Sequence, residues 1–491
     1  MNISRSLKIW ILFAVGILTA NAQNNDFEKV YNAFRQQTIK DYETFRDSVN
    51  VEYANFMRQV WKRYQVLPEL PKPNEEPPVP PIIYSKEDKN KSIEDSPKPY
   101  DEVIPIPEPE PQPTPVTPIR EQPQPEETYF KFSFFQTECK VRLNESHRFI
   151  LNDCSLNTLA DTWERLAGTE YNNVIRDCLE LRIRYRFCDW AYLLMLRELS
   201  ETYFGKGTNE STLFCAYLYC QSGYQMRLGL SNGRLYLLVA SKHQIYESIY
   251  WEIDGMFYYP LNCQEQSLEI CGASFPNERP LSLSVSESPL FMEQLSNSRV
   301  LQSKKYMEIK VKVSSDENLM KFFETYPTSM IDNNICTRWS FYANTPMSER
   351  IKKQLYPLLR KAIERKTQLE AVDELLNFVQ TAFVYEYDDK VWGGDRAFFA
   401  EESLYYPYCD CEDRSILFSR LVRDLLGLKV LLVYYPGHLA TAVCFTEQVT
   451  GDYVALNNRK YIICDPTYIG APVGITMPGM DNQKAKVILL D

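Results

Sequence analysis

Histidine is scarce in this 491-residue chain: only His147, His243 and His438 occur, so any imidazole chemistry must use one of them. Basic charge is short as well, with 54 Lys and Arg against 65 Asp and Glu and a formal net charge of −11. An acidic surface with no compensating basic stripe repels phosphate, which argues against nucleic acid as a partner. No C-x-x-C pair is repeated, so a zinc ribbon has little support and no metal site is expected. Beyond the first 22 residues no stretch approaches the ~20 apolar residues of a spanning helix, so the mature chain is expected to have no transmembrane helix. Apolar residues at 44% with 24% charged exclude full-length disorder, and the length suits roughly three domain-sized units.

Residues 1–22 read as a signal peptide: basic Arg5 and Lys8, an apolar run from Ile9 to Leu18, then Ala20-Asn21-Ala22 as a cleavage site. No cysteine stands at that point to carry a lipid, so the expected location is periplasm, cell surface or medium. Thirteen cysteines are an odd number, so in an oxidising compartment at least one is left without an intrachain partner. Most are expected to be buried apolar residues or disulfides.

Residues 23–66 form the first mature segment. Within it an 11-residue repeat places Tyr31, Tyr42, Tyr53 and Tyr64 in register, with Phe34, Phe45 and Phe56 beside them. The spacing gives about 3.67 residues per turn and predicts a nearly straight amphipathic helix over 27–64, whose aromatic stripe docks on the protein's own body or self-associates. Residues 67–127 carry proline at nearly every second position from Pro105 to Pro115 and predict a semi-rigid polyproline II spacer.

From residue 128 the chain reads as a diverged duplication, 128–305 followed by 306–491. Tyr129-Phe130-Lys131-Phe132 answers Tyr306-Met307-Glu308-Ile309 as an opening strand. The helical pattern Trp190, Leu193, Leu194 answers Val372, Leu375, Leu376, and Ser211-Thr212-Leu213-Phe214 answers Ser415-Ile416-Leu417-Phe418. The second copy is longer, with most of the excess in residues 386–410.

That excess runs into Tyr408-Cys409-Asp410-Cys411-Glu412-Asp413-Arg414-Ser415 and a helical pattern stopped by Gly427. Asp410 is a natural N-cap and Asp413 completes a capping box, which puts Cys411 at the first helical position. Unpaired N–H groups and the helix dipole there favour a thiolate. His438 opens a strand after the turn Pro436-Gly437, and Asp465 ends the strand Tyr461-Ile462-Ile463-Cys464. Neighbouring antiparallel strands would bring His438 and Asp465 together beside the helix start. A thiol, an imidazole that shuttles its proton and a carboxylate that orients the ring are the three parts of a cysteine triad.

On Asp410-Cys411-Glu412-Asp413-Arg414, the isolated His438 and Asp465-Pro466-Thr467, residues 306–491 resemble the transglutaminase-like superfamily, the papain-like group with chain order Cys, His, Asp, in an exported, bacterial-type form. The resemblance implies an α+β fold of two transglutaminase-like domains, each a helix packed on an antiparallel sheet. It implies Cys411 as nucleophile, His438 as general base and acid, Asp465 as orienting carboxylate, and no metal or organic cofactor. Glu412 stands where protein-crosslinking members usually have Trp, and their His-x-Trp is replaced by His438-Leu439-Ala440, which shifts the expectation toward hydrolysis of an amide.

The expected chemistry is attack on a peptide or isopeptide amide through a thioester, with a protein or peptide as substrate. The oxyanion needs donors. The Cys411 backbone N–H is one, and Gln380 and Trp392 are the candidates for the second. In the first copy Gly207 falls opposite Cys411 and Tyr259 opposite Asp465, so that copy reads as catalytically dead. A noncatalytic envelope-binding scaffold is the alternative.

Overall fold

The computed structural model describes residues 46–71, 78–85, 93–108, 111–116, 119–122 and 128–491. The signal-like segment and the first part of the repeat lie outside the described residues. The described chain is a mixed α+β structure with two large sheets and several smaller ones.

The first large sheet runs, in space, Lys62–Gln65, Ser267–Ile270, Met226–Ser231, Arg234–Ser241, Met256–Pro260, Trp251–Ile253. The second runs Glu102–Ile104, Lys486–Leu489, Lys429–Tyr435, His438–Cys444, Arg459–Cys464, Asp452–Leu456, Ser96–Pro97. Both follow one order: an edge strand from the N-terminal segment, then the last, first, second, fourth and third strands of the half; the second sheet alone gains a further edge.

In the second half, helix Cys411–Leu426 covers one sheet face. Ile416, Leu417, Leu421 and Val422 are fully buried, and they share a core with Val430, Leu432, Leu439, Val443 and Ile462. The alternate residues Leu431, Val433, Tyr435, Ala440, Ala442 and Ile463 face the other way into a separate apolar cluster. This period-two split is what strands covered on both faces require.

The second sheet must curl. Seven strands at ~4.8 Å spacing would hold its two edges roughly 29 Å apart if flat. The edge strands Ser96–Pro97 and Glu102–Ile104 are joined by only Lys98-Pro99-Tyr100-Asp101, a reach of about 18 Å at most. The connection spans the open side, and Tyr100 and Val103 pack into the cluster inside the curl.

Several expectations need correction. The repeat helix ends at 57, and Lys62–Gln65 is instead the edge strand paired with Ser267–Ile270. Its buried face is Val49, Asn50, Tyr53, Ala54 and Met57, while Phe56 is 47% exposed, so only part of the aromatic stripe is covered. The cover is the first half's own core: the Tyr53 ring lies 4.6 Å from those of Trp163 and Phe275. The described parts of 67–127 are not a free spacer, because they supply two edge strands and further bridges at Leu67, Leu70 and Ile83. The boundary expected at 305/306 falls within a hairpin in which Arg299–Gln302 pairs with Lys310–Val313, and Tyr306, expected to open a strand, lies in its turn. The halves also share one apolar core from Val49 to Ile488 in place of two separate ones. No disulfide joins any of the thirteen cysteines, nine of which are buried. Among the described residues no helix is long and apolar enough to cross a membrane.

Candidate active site

Asp410 caps helix Cys411–Leu426 as its sequence suggests. Its side chain accepts from the Glu412 N–H at 3.1 Å, while Asp413 accepts from the Asp410 N–H at 3.2 Å and from the Phe398 N–H at 2.9 Å. Cys411 is the first helical residue and 4% exposed. Arg414, fully buried, donates to the carbonyls of Gln380 and Phe383 at 3.2 and 3.1 Å, tying this helix to the C-terminal end of helix Gln368–Ala382. The hydroxyl of Ser415 donates to the Leu439 carbonyl at 2.7 Å, which fixes the helix against strand His438–Cys444.

His438 opens that strand opposite Tyr435, across the two-residue turn Pro436-Gly437. Register with Arg459–Cys464 pairs Thr441 with Cys464, so Asp465 emerges next to the strand's start. The structure accordingly brings His438 and Asp465 together: Nε2 donates to Oδ2 at 2.9 Å, with both side chains buried. The other carboxylate oxygen accepts from the N–H groups of Thr467 and Tyr468 at 2.8 and 3.2 Å. Nδ1 of His438 is buried and has no hydrogen-bond partner among the described residues, so the imidazole–sulfur hydrogen bond is not formed. The Cys411 sulfur faces the backbone N–H of Leu439, the residue after His438.

The electrostatics reverse one expectation. The helix start was expected to favour a thiolate, yet the Cys411 thiol is held well above its ordinary range, by burial first and then by Asp410 and Glu412; the Leu439 N–H opposes them. Around it lies a buried acidic group with few compensating cations. Burial and Asp410 push Asp388 up to about 8, and burial and Asp395 push Asp410 up to about 6. Arg338, 2% exposed, bonds Asp395 and stands 3.5 Å from Glu412. Asp388, Asp410 and Glu412 present oxygens within 4.8 Å of one another, a hard-oxygen set that could hold a divalent cation.

Gln380 does not serve the expected role. Its amide nitrogen donates to the carbonyls of Asp465, Tyr468 and Ala471 at 3.0, 2.8 and 3.1 Å, and its oxygen accepts from the Gly470 N–H at 3.0 Å. Both ends of the amide are consumed in holding the loop that carries Asp465. Trp392 is packed edge-on against Tyr406 and Phe398, with Arg396 over its ring, a packing role.

Tyr385 was missed by sequence reasoning. Its hydroxyl is buried without a partner, and its pKa is raised by burial first and next by the neighbouring Cys411. The parallel pairing of Val384–Tyr385 with Tyr408–Cys409 brings it there, a contact across the insertion that no local pattern signals. Residues 78–84 run along the loops that bear His438 and Asp465: the Val79 N–H donates to the Gly437 carbonyl at 2.8 Å and the Tyr84 N–H to that of Ile469 at 2.9 Å. Of the other histidines, His243 bonds Ser329 and His147 bonds Asn144 and Glu170.

Comparison of the chain with protein-family models, with curated proteins and with solved structures finds no match.

Proposed function

We propose that this chain is a thiol enzyme of the transglutaminase-like, papain-like kind, acting on peptide or isopeptide amides, with hydrolysis ahead of amine transfer. The observation that carries the reading is the buried His438–Asp465 pair with Nδ1 left unpartnered beside the strand residue that faces the Cys411 sulfur. A thiol rather than a thiolate rests here, so proton transfer accompanies attack. The S–H proton passes to Nδ1 of His438 as sulfur bonds the amide carbon. The C–N bond then breaks, His438 returns the proton to the leaving amine, and a thioester remains. Water, deprotonated by His438, cleaves the thioester to a carboxylic acid and regenerates the thiol. The Cys411 N–H and the neutral Tyr385 hydroxyl are the donors for the oxyanion.

The paired strand orders support reading the first half as a degenerate copy, and residues 1–22 support export. The second reading, a noncatalytic scaffold, is favoured by the burial of Cys411 and the unformed sulfur–imidazole bond. A glutamine-containing peptide, with and without a primary amine, separates the outcomes. Ammonia released in both arms and lost in Cys411→Ala supports hydrolysis; release only with amine supports transfer; none in either arm with intact protein supports the scaffold.

A further inference from the structure

The first half keeps a cleft where the second half keeps its triad. Ser231-Asn232-Gly233-Arg234 and Tyr435-Pro436-Gly437-His438 are two-residue hairpin turns at corresponding places, with Ser231 paired to Arg234 as Tyr435 is to His438. Gly233 and Gly437 stand 204 residues apart, as do Ser211 and Ser415 on the covering helices. Arg234 therefore occupies the His438 place. Gly207 lies two residues before the covering helix, and it is Asn209, the first residue of helix Asn209–Gln221, whose side-chain oxygen accepts from the Leu235 N–H at 2.9 Å where the Cys411 sulfur faces that of Leu439. The register corrects the third position. Thr441 faces Cys464, whereas Leu238 faces Pro260, so Leu237 stands opposite Leu261 and Asn262, not Tyr259, takes the Asp465 place.

Arg234, Asn262 and Gly207 line one cavity of about 60 Å³ together with Arg197, Glu201 and Ser211. The Arg197 guanidinium is held at 3.0 Å by Glu201 and donates to the Asn262 side-chain oxygen at 2.5 Å. Arg234 is exposed, packs over the Tyr236 ring and makes no ion pair among the described residues. A Cβ placed on Gly207 would lie 4.0 Å from its guanidinium, so the arginine fork faces the open space beside Gly207, just before the start of the covering helix. Gly207, at φ +71, leaves that space open.

The geometry points to a carboxylate-binding site, and we infer that the first half binds the free C-terminal carboxylate of a peptide. A planar guanidinium presents paired donors that match a carboxylate and gain little from a neutral amide. The cavity is large enough for the carboxylate alone, which leaves the rest of the peptide along the open side. This inference rests on the first half and stands whether or not Cys411 is reactive.

The test uses the full chain carrying Cys411→Ala, so that nothing is turned over, and calorimetric titration with N-acetyl-trialanine as free acid and as C-terminal amide. The free acid is expected to bind at least tenfold more tightly. Arg234→Glu should erase the difference and Arg234→Lys retain part of it, with circular dichroism unchanged. Arg184→Ala, exposed on another helix, should leave it intact. Equal binding of acid and amide, or full discrimination in Arg234→Glu, overturns the site. Acetate or inorganic phosphate competing as strongly as the peptide acid overturns the assignment to a peptide end.

Discussion

Nε2 of His438 donates to the Asp465 carboxylate at 2.9 Å, with both side chains buried. The pairing fixes which nitrogen of the ring is left over: Nδ1, buried and without a hydrogen-bond partner among the described residues. His438→Ala should lower turnover of an amide substrate by about 10²–10⁴-fold. The same change should slow alkylation of Cys411 by iodoacetamide, read by peptide mass spectrometry. An unchanged alkylation rate would mean that the ring does not take the sulfur's proton.

Because Asp410 and Glu412 both raise the Cys411 thiol, removing one charge should make the sulfur more reactive near neutral pH. Glu412→Gln keeps the shape and removes the charge that faces Arg338. The alkylation rate of Cys411 at pH 7 should rise several-fold, and the midpoint of its pH–rate curve should move down. A midpoint moving up would show that Arg338, freed of Glu412, acts through the remaining carboxylates instead.

Tyr385 separates a catalytic hydroxyl from a packing ring. Its hydroxyl is buried and unpartnered, so removing it costs no hydrogen bond in the resting protein. Tyr385→Phe should therefore leave Tm unchanged or slightly raised while kcat falls by about 10²–10³-fold, the loss expected of one oxyanion donor. A large fall in Tm with normal kcat would assign the residue to packing.

What the sequence shows of this site and what it hides follow from the range of the interactions. The helix start at Cys411 is legible because Asp410 and Asp413 act within one turn. His438 is legible because a turn dipeptide precedes it and strand alternation follows. The repeat at 62–64 misleads because its aromatic spacing continues after the helix has ended, and pairing with Ser267–Ile270 overrides the local pattern. Gln380 misleads for a similar reason: its partners, Asp465, Tyr468, Gly470 and Ala471, lie far along the chain, and only the folded loop reveals that its amide is spent. The acidic surroundings of the thiol are half legible, since Asp410 and Glu412 flank it while Asp388 arrives from the insertion.

Gln380→Leu tests that holding role. It leaves three buried carbonyls and the Gly470 N–H short of a partner, at a cost of roughly 2–5 kcal/mol. Tm should fall by about 5–15 °C, and activity should fall with it as the Asp465 loop loosens. An oxyanion donor would instead lower kcat with Tm nearly unchanged.

Glu401 gives the stability curve a definite sign. It is 2% exposed, and burial pushes its carboxyl up to about 7 although Ser348 donates its N–H at 2.7 Å and its hydroxyl at 2.9 Å. An unfolded Glu titrates near ~4.3. Between these values the folded chain binds a proton that the unfolded chain has lost, so stability falls as pH rises through roughly 4.5 to 7. Glu402, also pushed up to about 7 by burial, acts in the same direction despite Arg396 beside it. Thermal unfolding should therefore show a higher Tm at pH 5 than at pH 8. Glu401→Gln keeps an acceptor for Ser348 and removes the titration, so it should flatten that slope and raise Tm at pH 8 relative to the native chain. A Tm rising from pH 5 to pH 8 in the native chain, or a slope untouched by Glu401→Gln, would show that this carboxylate is compensated by a charge other than its hydrogen bonds to Ser348.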